Sequence, residues 1–258
     1  AMMSFIITLL AYAFNAPNIL KSPMTMLLLI LVGFWAVTLF NFKGLKVSSW
    51  FSSISVLFGA ILPGIFLIVL GVAWLTKGEM SYITFNFKDV IPSFSHFKDV
   101  SFLAGLFLAF AGLEVTATHA KDVIRPRRTI PRAIFLAIVF TLILFILGSL
   151  AIAVVLPSKD ISLVAGIMEA FETILNRFNL GPLIPWMGLI IAVGAIGELN
   201  AWLAGPSKGL FITARHGSLP PILQKVNKEK VPTNMLILQA SVVSIAAFVF
   251  LIMKNLSS

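Results

Sequence analysis

Apolar residues in this chain of 258 are concentrated in seven long segments, with short polar connections between them. The segments cover residues 1–14, 23–41, 49–76, 101–120, 133–156, 183–211 and 233–253. Six of the seven hold about 20 residues or more, the length of a helix that crosses the hydrocarbon core of a bilayer. Strands of a membrane barrel would be about 10 residues long and would alternate apolar with polar residues. The pattern therefore predicts an all-α membrane protein.

The first segment is too short to cross a bilayer, and it lacks the charged start and the cleavage site of a signal peptide. We expect it to be the end of a helix that starts upstream. On this interpretation residues 1–258 form a single transmembrane domain that is incomplete, and missing helices of the same protein would complete it.

The composition agrees with a membrane protein, and the charge indicates its orientation. The residues are 59% hydrophobic and 11% charged, against about 25% charged in soluble domains. One set of alternate connections carries twelve Lys and Arg with two acidic residues, whereas the other carries seven with six. Since basic residues collect on the cytoplasmic side, the first set should face the cytoplasm. The net charge of +9 is then a topology signal, and we expect no nucleic-acid partner.

Some of the polar connections have a pattern of their own. Residues 161–178 place Glu169, Glu172 and Arg177 among apolar residues at helical spacing, which favours an amphipathic helix at the outer interface. On the inner side, prolines in residues 219–226 favour the start of a short helix, because proline is well tolerated in the first turn. Residues 77–99 are interpreted as an outer loop.

Several kinds of site have no counterpart in the sequence. There is no cysteine, which excludes disulfides and thiolate metal sites. No metal-binding spacing of His, Asp and Glu, no phosphate-binding glycine loop and no Ser/His/Asp arrangement is found. We therefore expect no cofactor, no metal and no enzymatic activity. Membrane lipid is an expected partner, and its anionic headgroups could contact residues 125–128, although a topology anchor explains these arginines more simply.

One carboxylate, Glu114, follows a long apolar run in the fourth segment. An acid at that depth costs roughly 3 kcal/mol unless it faces a cavity, a partner or a proton path. Gly112 weakens the helix beside it, because glycine is a poor helix former. Together they predict a broken helix near 111–114, with freed carbonyls at a midplane binding site. The alternative is an acid hydrogen-bonded inside the bundle with no transport role.

A second acid, Glu198, lies in the sixth segment. On a helix it shares one face with Gly194, Trp202 and Pro206, which recur every four residues. Small residues in a neighbouring series would let another helix approach closely, namely Gly197, Ala201, Gly205 and Gly209. An acid and an indole on one face suit the pocket wall of a small zwitterion. The alternative is a packing helix whose Glu is incidental.

At these residues the chain resembles a known family. Residues 110–119, followed by 125–131, are similar to the sixth helix and next loop of bacterial amino-acid antiporters. Residues 197–209, with 219–221 and Asn227, resemble the eighth helix of those antiporters and its exit. The similarity places the chain in the amino acid-polyamine-organocation superfamily of transporters.

Residues 161–168 and 205–209 resemble the glutamate/γ-aminobutyrate antiporter branch of that superfamily in particular. The resemblance implies two inverted repeats of five helices each. By this match the chain holds the end of the third helix through the ninth, so that the first broken helix of the family is absent and the binding site is a half-site.

The resemblance also implies roles for individual residues. In the family, carbonyls of the broken sixth helix bind the substrate amine, and they correspond to Phe110, Ala111, Gly112 and Leu113. The acid after the break corresponds to Glu114, and the acid and indole of the eighth helix correspond to Glu198 and Trp202. One departure is Leu108, where some arginine/agmatine relatives have a gating Trp. That departure weakens an arginine-type interpretation.

The resulting hypothesis is an amino-acid antiporter of the bacterial inner membrane. It would exchange glutamate for γ-aminobutyrate by alternating access, and decarboxylation elsewhere in the cell would make the cycle remove acid. Two alternatives stay open: a proton- or sodium-coupled amino-acid uptake permease of the same superfamily, and a structural fragment that does not transport.

The charge distribution gives a prediction about orientation. In the intact protein, a single cysteine introduced by Arg128→Cys should react with a membrane-impermeant maleimide only from the cytoplasmic side. A cysteine at Lys88 should react from outside. Labelling of the Arg128 position in intact cells would contradict the predicted topology.

Overall fold

The computed structural model describes residues 2–16, 20, 22–83, 107, 111–112, 120, 123–157, 161–162 and 165–256. Within these ranges the chain forms eight α-helices and no strands, as the all-α prediction requires. The helices are α1 (Met2–Ala13), α2 (Pro23–Asn41), α3 (Leu45–Val56), α4 (Leu62–Thr76), α5 (Pro126–Val155), α6 (Gly166–Arg177), α7 (Ile184–Thr213) and α8 (Thr233–Leu256).

Shorter helical turns extend or join these helices. A π-helical turn, Leu57–Ile61, joins α3 to α4, so the two form one continuous rod. A 3-10 turn, Gly181–Leu183, leads into α7, and a second π turn, Ala214–Ser218, follows it. The short helix predicted from prolines is the 3-10 turn Pro221–Gln224.

The lengths of the helices confirm the membrane prediction. Four described stretches are long and apolar enough to cross a bilayer: Pro23–Asn41, Lys46–Thr76, Pro126–Val155 and Gly181–Ser218. Met2–Ala13 and Thr233–Val249 are apolar but shorter. Most of the predicted fourth segment, 101–120, lies outside the described residues.

The centre of the bundle is α7, which packs along α1 and α3 and also meets α2, α6 and α8. Small residues make these contacts possible. A Cβ added at Gly188 would lie 2.8 Å from the Leu9 carbonyl oxygen of α1, and one added at Gly197 would overlap the Ser55 side chain of α3. The backbones therefore approach more closely than larger residues would allow.

The closest approach joins the Leu57–Ile61 π turn to α7. Gly59 and Gly194 face each other, and a Cβ on Gly194 would lie 2.7 Å from the Gly59 Cα. Real Cβ atoms essentially never come that close to backbone, so neither position accepts a side chain without moving a helix. Glycine at both positions fixes how deeply the α3–α4 rod sits against α7.

The predicted amphipathic helix is confirmed as α6. Its apolar face is buried, and Phe171 and Ile174 are fully enclosed, whereas Glu172 and Arg177 stay exposed. At its start, the Glu169 carboxylate accepts a hydrogen bond from the Ser162 amide at 3.0 Å. The helix is thus oriented by the bundle on one side and by its charges on the other.

An ion pair ties the end of α6 to the end of α4. Arg177 Nε donates to Glu79 Oε1 at 2.7 Å, and this hydrogen bond raises the pKa of Arg177, so the guanidinium stays charged. Beside it, Lys77 Nζ lies 4.2 Å from the centre of the Phe178 ring. Such exposed contacts contribute modestly to stability.

The two ends of the bundle group the connections as the charge distribution predicts. At one end, Asn227 Nδ2 donates to the Phe42 carbonyl at 2.8 Å, which joins two predicted cytoplasmic connections. At the other, the Tyr82 amide donates to the Val154 carbonyl at 3.0 Å, so the end of α5 meets the chain after α4. Which end faces the cytoplasm stays a prediction.

The glycine contact gives a test of packing. Gly194→Ala should lower the melting temperature of the intact protein in detergent, because overpacking of this kind typically costs about 1–3 kcal/mol. Gly148→Ala in α5 is the matched control, since nothing lies within 4 Å of a Cβ built there. Equal melting temperatures for the two variants would show that the Gly59–Gly194 contact is not a constraint.

Candidate functional site

The predicted substrate-binding turn is described only in part. Ala111 and Gly112 form a turn, and Gly112 has a φ of +99°, which is outside the α-helical region. At this point the backbone is therefore not α-helical, in agreement with the predicted break. Phe110, Leu113 and Glu114 lie outside the described residues.

The turn meets α7 through Trp202. A Cβ added at Gly112 would lie 3.0 Å from Cζ2 of the Trp202 indole, which is tighter than nine in ten real Cβ contacts. The indole edge therefore packs against the glycine itself. Two of the residues expected to bind substrate, Gly112 and Trp202, are in this way brought together from distant parts of the sequence.

Glu198 and Trp202 lie one turn apart on the same face of α7. Both are exposed, and 37% of Trp202 is accessible. Residues four apart on a helix are neighbours, so the carboxylate and the indole lie side by side. Within the described chain, the acid and the indole therefore form one polar and aromatic surface.

The structure shows what covers the predicted glycine and small-residue faces of α7, and close approach of another helix is confirmed at Gly197. Gly194, expected on the face of Glu198, is buried against Gly59, because the π turn of the α3–α4 rod covers it. The neighbouring series is also discontinuous: Gly197 and Gly205 are buried, but Ala201 is exposed. Only the part of the face around Glu198 and Trp202 is open.

A buried polar cluster behind this face was not predicted from the sequence. Asn200 is fully buried, and its Oδ1 accepts a hydrogen bond from Asn41 Nδ2 of α2 at 2.8 Å. Its Nδ2 lies 2.7 Å from Ser48 Oγ and 2.8 Å from Ser52 Oγ, both on α3. The sequence could have indicated the cluster, because an amide within a long apolar segment needs hydrogen-bond partners just as an acid does.

The cluster closes on itself. Ser48 Oγ donates to Asn41 Oδ1 at 3.1 Å, and Ser52 Oγ donates to the Gly197 carbonyl at 2.9 Å. Each polar side chain named here therefore has a partner, and the cluster links α2, α3 and α7. Among the described residues, no group of three His, Cys, Asp or Glu is placed to hold a metal ion.

Comparison with known proteins gives a consistent picture. An uncharacterised transporter of Legionella pneumophila is 33% identical over the whole chain, which covers 55% of that protein. A glutamate/γ-aminobutyrate antiporter of Lactococcus lactis is 31% identical over 95% of the chain and 49% of its own length. A probable agmatine/putrescine antiporter of the same species is 24% identical over 77% of the chain and 42% of its own length. The chain thus spans about half the length of these relatives.

These relatives are transporters and not enzymes, and the apolar helices agree with a multi-pass protein of a bacterial membrane. The sequence pattern described as amino acid permease matches residues 1–258, which is the entire chain. The chain therefore belongs to the amino acid permease family.

Proposed function

We propose that the protein containing this chain exchanges glutamate for γ-aminobutyrate across the bacterial inner membrane. The observation that carries the proposal is that Trp202, one helical turn from Glu198 on α7, packs against the non-helical turn at Gly112. The similarity to glutamate/γ-aminobutyrate antiporters over 95% of the chain supports this choice of substrates.

Glutamate and γ-aminobutyrate would need the same kinds of contact in a binding site. Both carry an ammonium group at one end and a carboxylate at the other, and they differ by the α-carboxylate of glutamate. An ammonium group suits carbonyls at a break in a helix, which is the role that the resemblance implies for residues 110–113, and it is attracted by the Glu198 carboxylate. The flat Trp202 ring covers the apolar methylenes and can also stack on a cation.

The exchange would also move acid equivalents. Glutamate enters with a net charge of −1 and γ-aminobutyrate leaves with none, so each cycle carries one negative charge inward. If decarboxylation inside the cell consumes a proton, the pair of reactions removes acid from the cytoplasm. Protection at low pH is the proposed physiological role.

Exchange of cationic amines is a second candidate. The open carboxylate and indole are complementary to a cation as well as to a zwitterion, and one relative is named a probable agmatine/putrescine antiporter. Proteoliposomes loaded in turn with glutamate, γ-aminobutyrate, agmatine and putrescine would separate the candidates. Uptake of glutamate that needs internal glutamate or γ-aminobutyrate supports the proposal, whereas uptake into empty vesicles driven by a proton or sodium gradient supports a coupled permease.

The acids give a prediction about pH. In the intact transporter, Glu198→Gln and Glu114→Gln should each alter the pH dependence of exchange, because glutamine keeps the shape of the side chain but cannot gain or lose a proton. Exchange is measured in proteoliposomes across a range of external pH. Glu172→Gln, which changes an exposed acid on α6, is the control and should leave the profile unchanged. Unaltered rates and profiles in both test variants would leave these acids as structural.

The indole gives a separate prediction. Trp202→Ala should weaken exchange at least several-fold, while expression and thermal stability are largely retained, because the side chain is partly exposed on α7. A core Trp would instead cost about 3–5 kcal/mol on truncation and reduce expression. Trp186→Ala, on the same helix and also exposed, is the matched control. Normal exchange by Trp202→Ala would remove this residue from the site.

A further inference from the structure

We propose that Asn200 is a positioning residue that sets the rotation of α7 about its own axis and thereby directs Glu198 and Trp202 toward the substrate. The side chain does not reach the open face of the helix and makes no contact with substrate in this proposal. The part that concerns transport rests on the proposed function, whereas the part that concerns the rotation of α7 does not.

The geometry of the helix places Asn200 opposite the pair it serves. Successive residues of an α-helix are about 100° apart, so Glu198 and Trp202 lie within about 40° of each other. Asn200, midway between them in sequence, lies about 160° from each. The burial agrees, because Glu198 and Trp202 are exposed and Asn200 is 0% exposed. Whatever holds Asn200 in place therefore fixes the direction of the other two side chains.

The hydrogen bonds around Asn200 hold it from two helices at once. Its Oδ1 accepts from Asn41 of α2, and its Nδ2 donates toward Ser48 Oγ and the Ser48 carbonyl of α3, the latter at 3.0 Å. Any other rotation of α7 would leave this amide buried without partners, which typically costs about 1–3 kcal/mol. A single buried amide is known to specify the register of packed helices in this way.

The rest of the interface does not set the rotation as sharply. Beside Asn200, α7 meets α3 through Gly197 and meets the π turn through Gly194. These glycines allow close approach and present no side chain, and the hydrogen bond that the Gly197 carbonyl accepts from Ser52 Oγ belongs to the same polar cluster as Asn200. Depth of packing is therefore set by the glycines, and angle by the amide.

The same helix supplies a matched comparison. Ser207 is also buried, at 3% exposure, but its hydroxyl bonds only to carbonyls of its own helix, Leu203 at 2.6 Å and Ala204 at 3.1 Å. A polar group satisfied within α7 is satisfied at every rotation of α7. Ser207→Ala therefore removes a buried polar group without changing what fixes the angle.

The first test measures rotation without substrate. Single cysteines are introduced separately by Glu198→Cys and Leu199→Cys in the intact protein, with any other cysteines replaced. The rates of reaction with a small maleimide are compared. Position 198 is open and position 199 is 6% exposed, so the ratio of rates should strongly favour 198. Adding Asn200→Ala should reduce that ratio at least several-fold, and adding Ser207→Ala should leave it unchanged.

The second test measures transport in the single variants. Asn200→Ala should raise the KM for glutamate more than it lowers kcat, because the site is present but misdirected, and Ser207→Ala should change neither. If Asn200→Ala does not fold, Ser52→Ala removes one partner of the amide and should shift the labelling ratio in the same direction by less.

An unchanged labelling ratio in Asn200→Ala, or an equal change in Ser207→Ala, would overturn the inference. A changed ratio in a protein that does not exchange glutamate would refute the proposed substrates and support the positioning role. The two proposals can thus fail independently.

Discussion

The interior of a bilayer offers no water to a polar group, and the centre of this fold is arranged around that constraint. The amide of Asn200 finds its partners on α2 and α3, so α7 cannot be placed without them. Among the described residues Ser55 is the exception: its buried hydroxyl has no partner, and it lies where α3 packs closely on Gly197. Close packing and polar hydrogen bonds therefore both hold α3 against α7. At Ser55 the helices pack closely although its hydroxyl has no hydrogen-bond partner.

The sequence predicts well those features that depend on neighbouring residues. The length of an apolar run predicts a spanning helix, and helical spacing of apolar and charged residues predicts α6, because both are properties of one segment. The shared face of Glu198 and Trp202 follows from the same local geometry. For these elements no knowledge of the remaining chain is needed.

Contacts that depend on a partner helix were not predicted. Gly194 belongs to the face of Glu198 by spacing, but the π turn of another helix covers it, and nothing within α7 indicates that contact. The role of Asn200 cannot be predicted from its own segment, because its hydrogen-bond partners Asn41 and Ser48 lie on other helices. The turn at Gly112 was predicted, since glycine beside an acid is a local signal, but its contact with the Trp202 indole was not.

The π turn between α3 and α4 has a consequence for how the family can vary in length. It holds one residue more than an α-helical turn would, and so it offsets the faces of α4 from those of α3 by about 100°. Deleting one residue there would restore a regular helix and rotate the face of α4 that contacts α5 away from α5. It would also break the contact between Gly59 and Gly194. An insertion or deletion of one residue between Val56 and Leu62 therefore changes the register of α4, whereas the turn at Phe42–Gly44 has no helical register to keep.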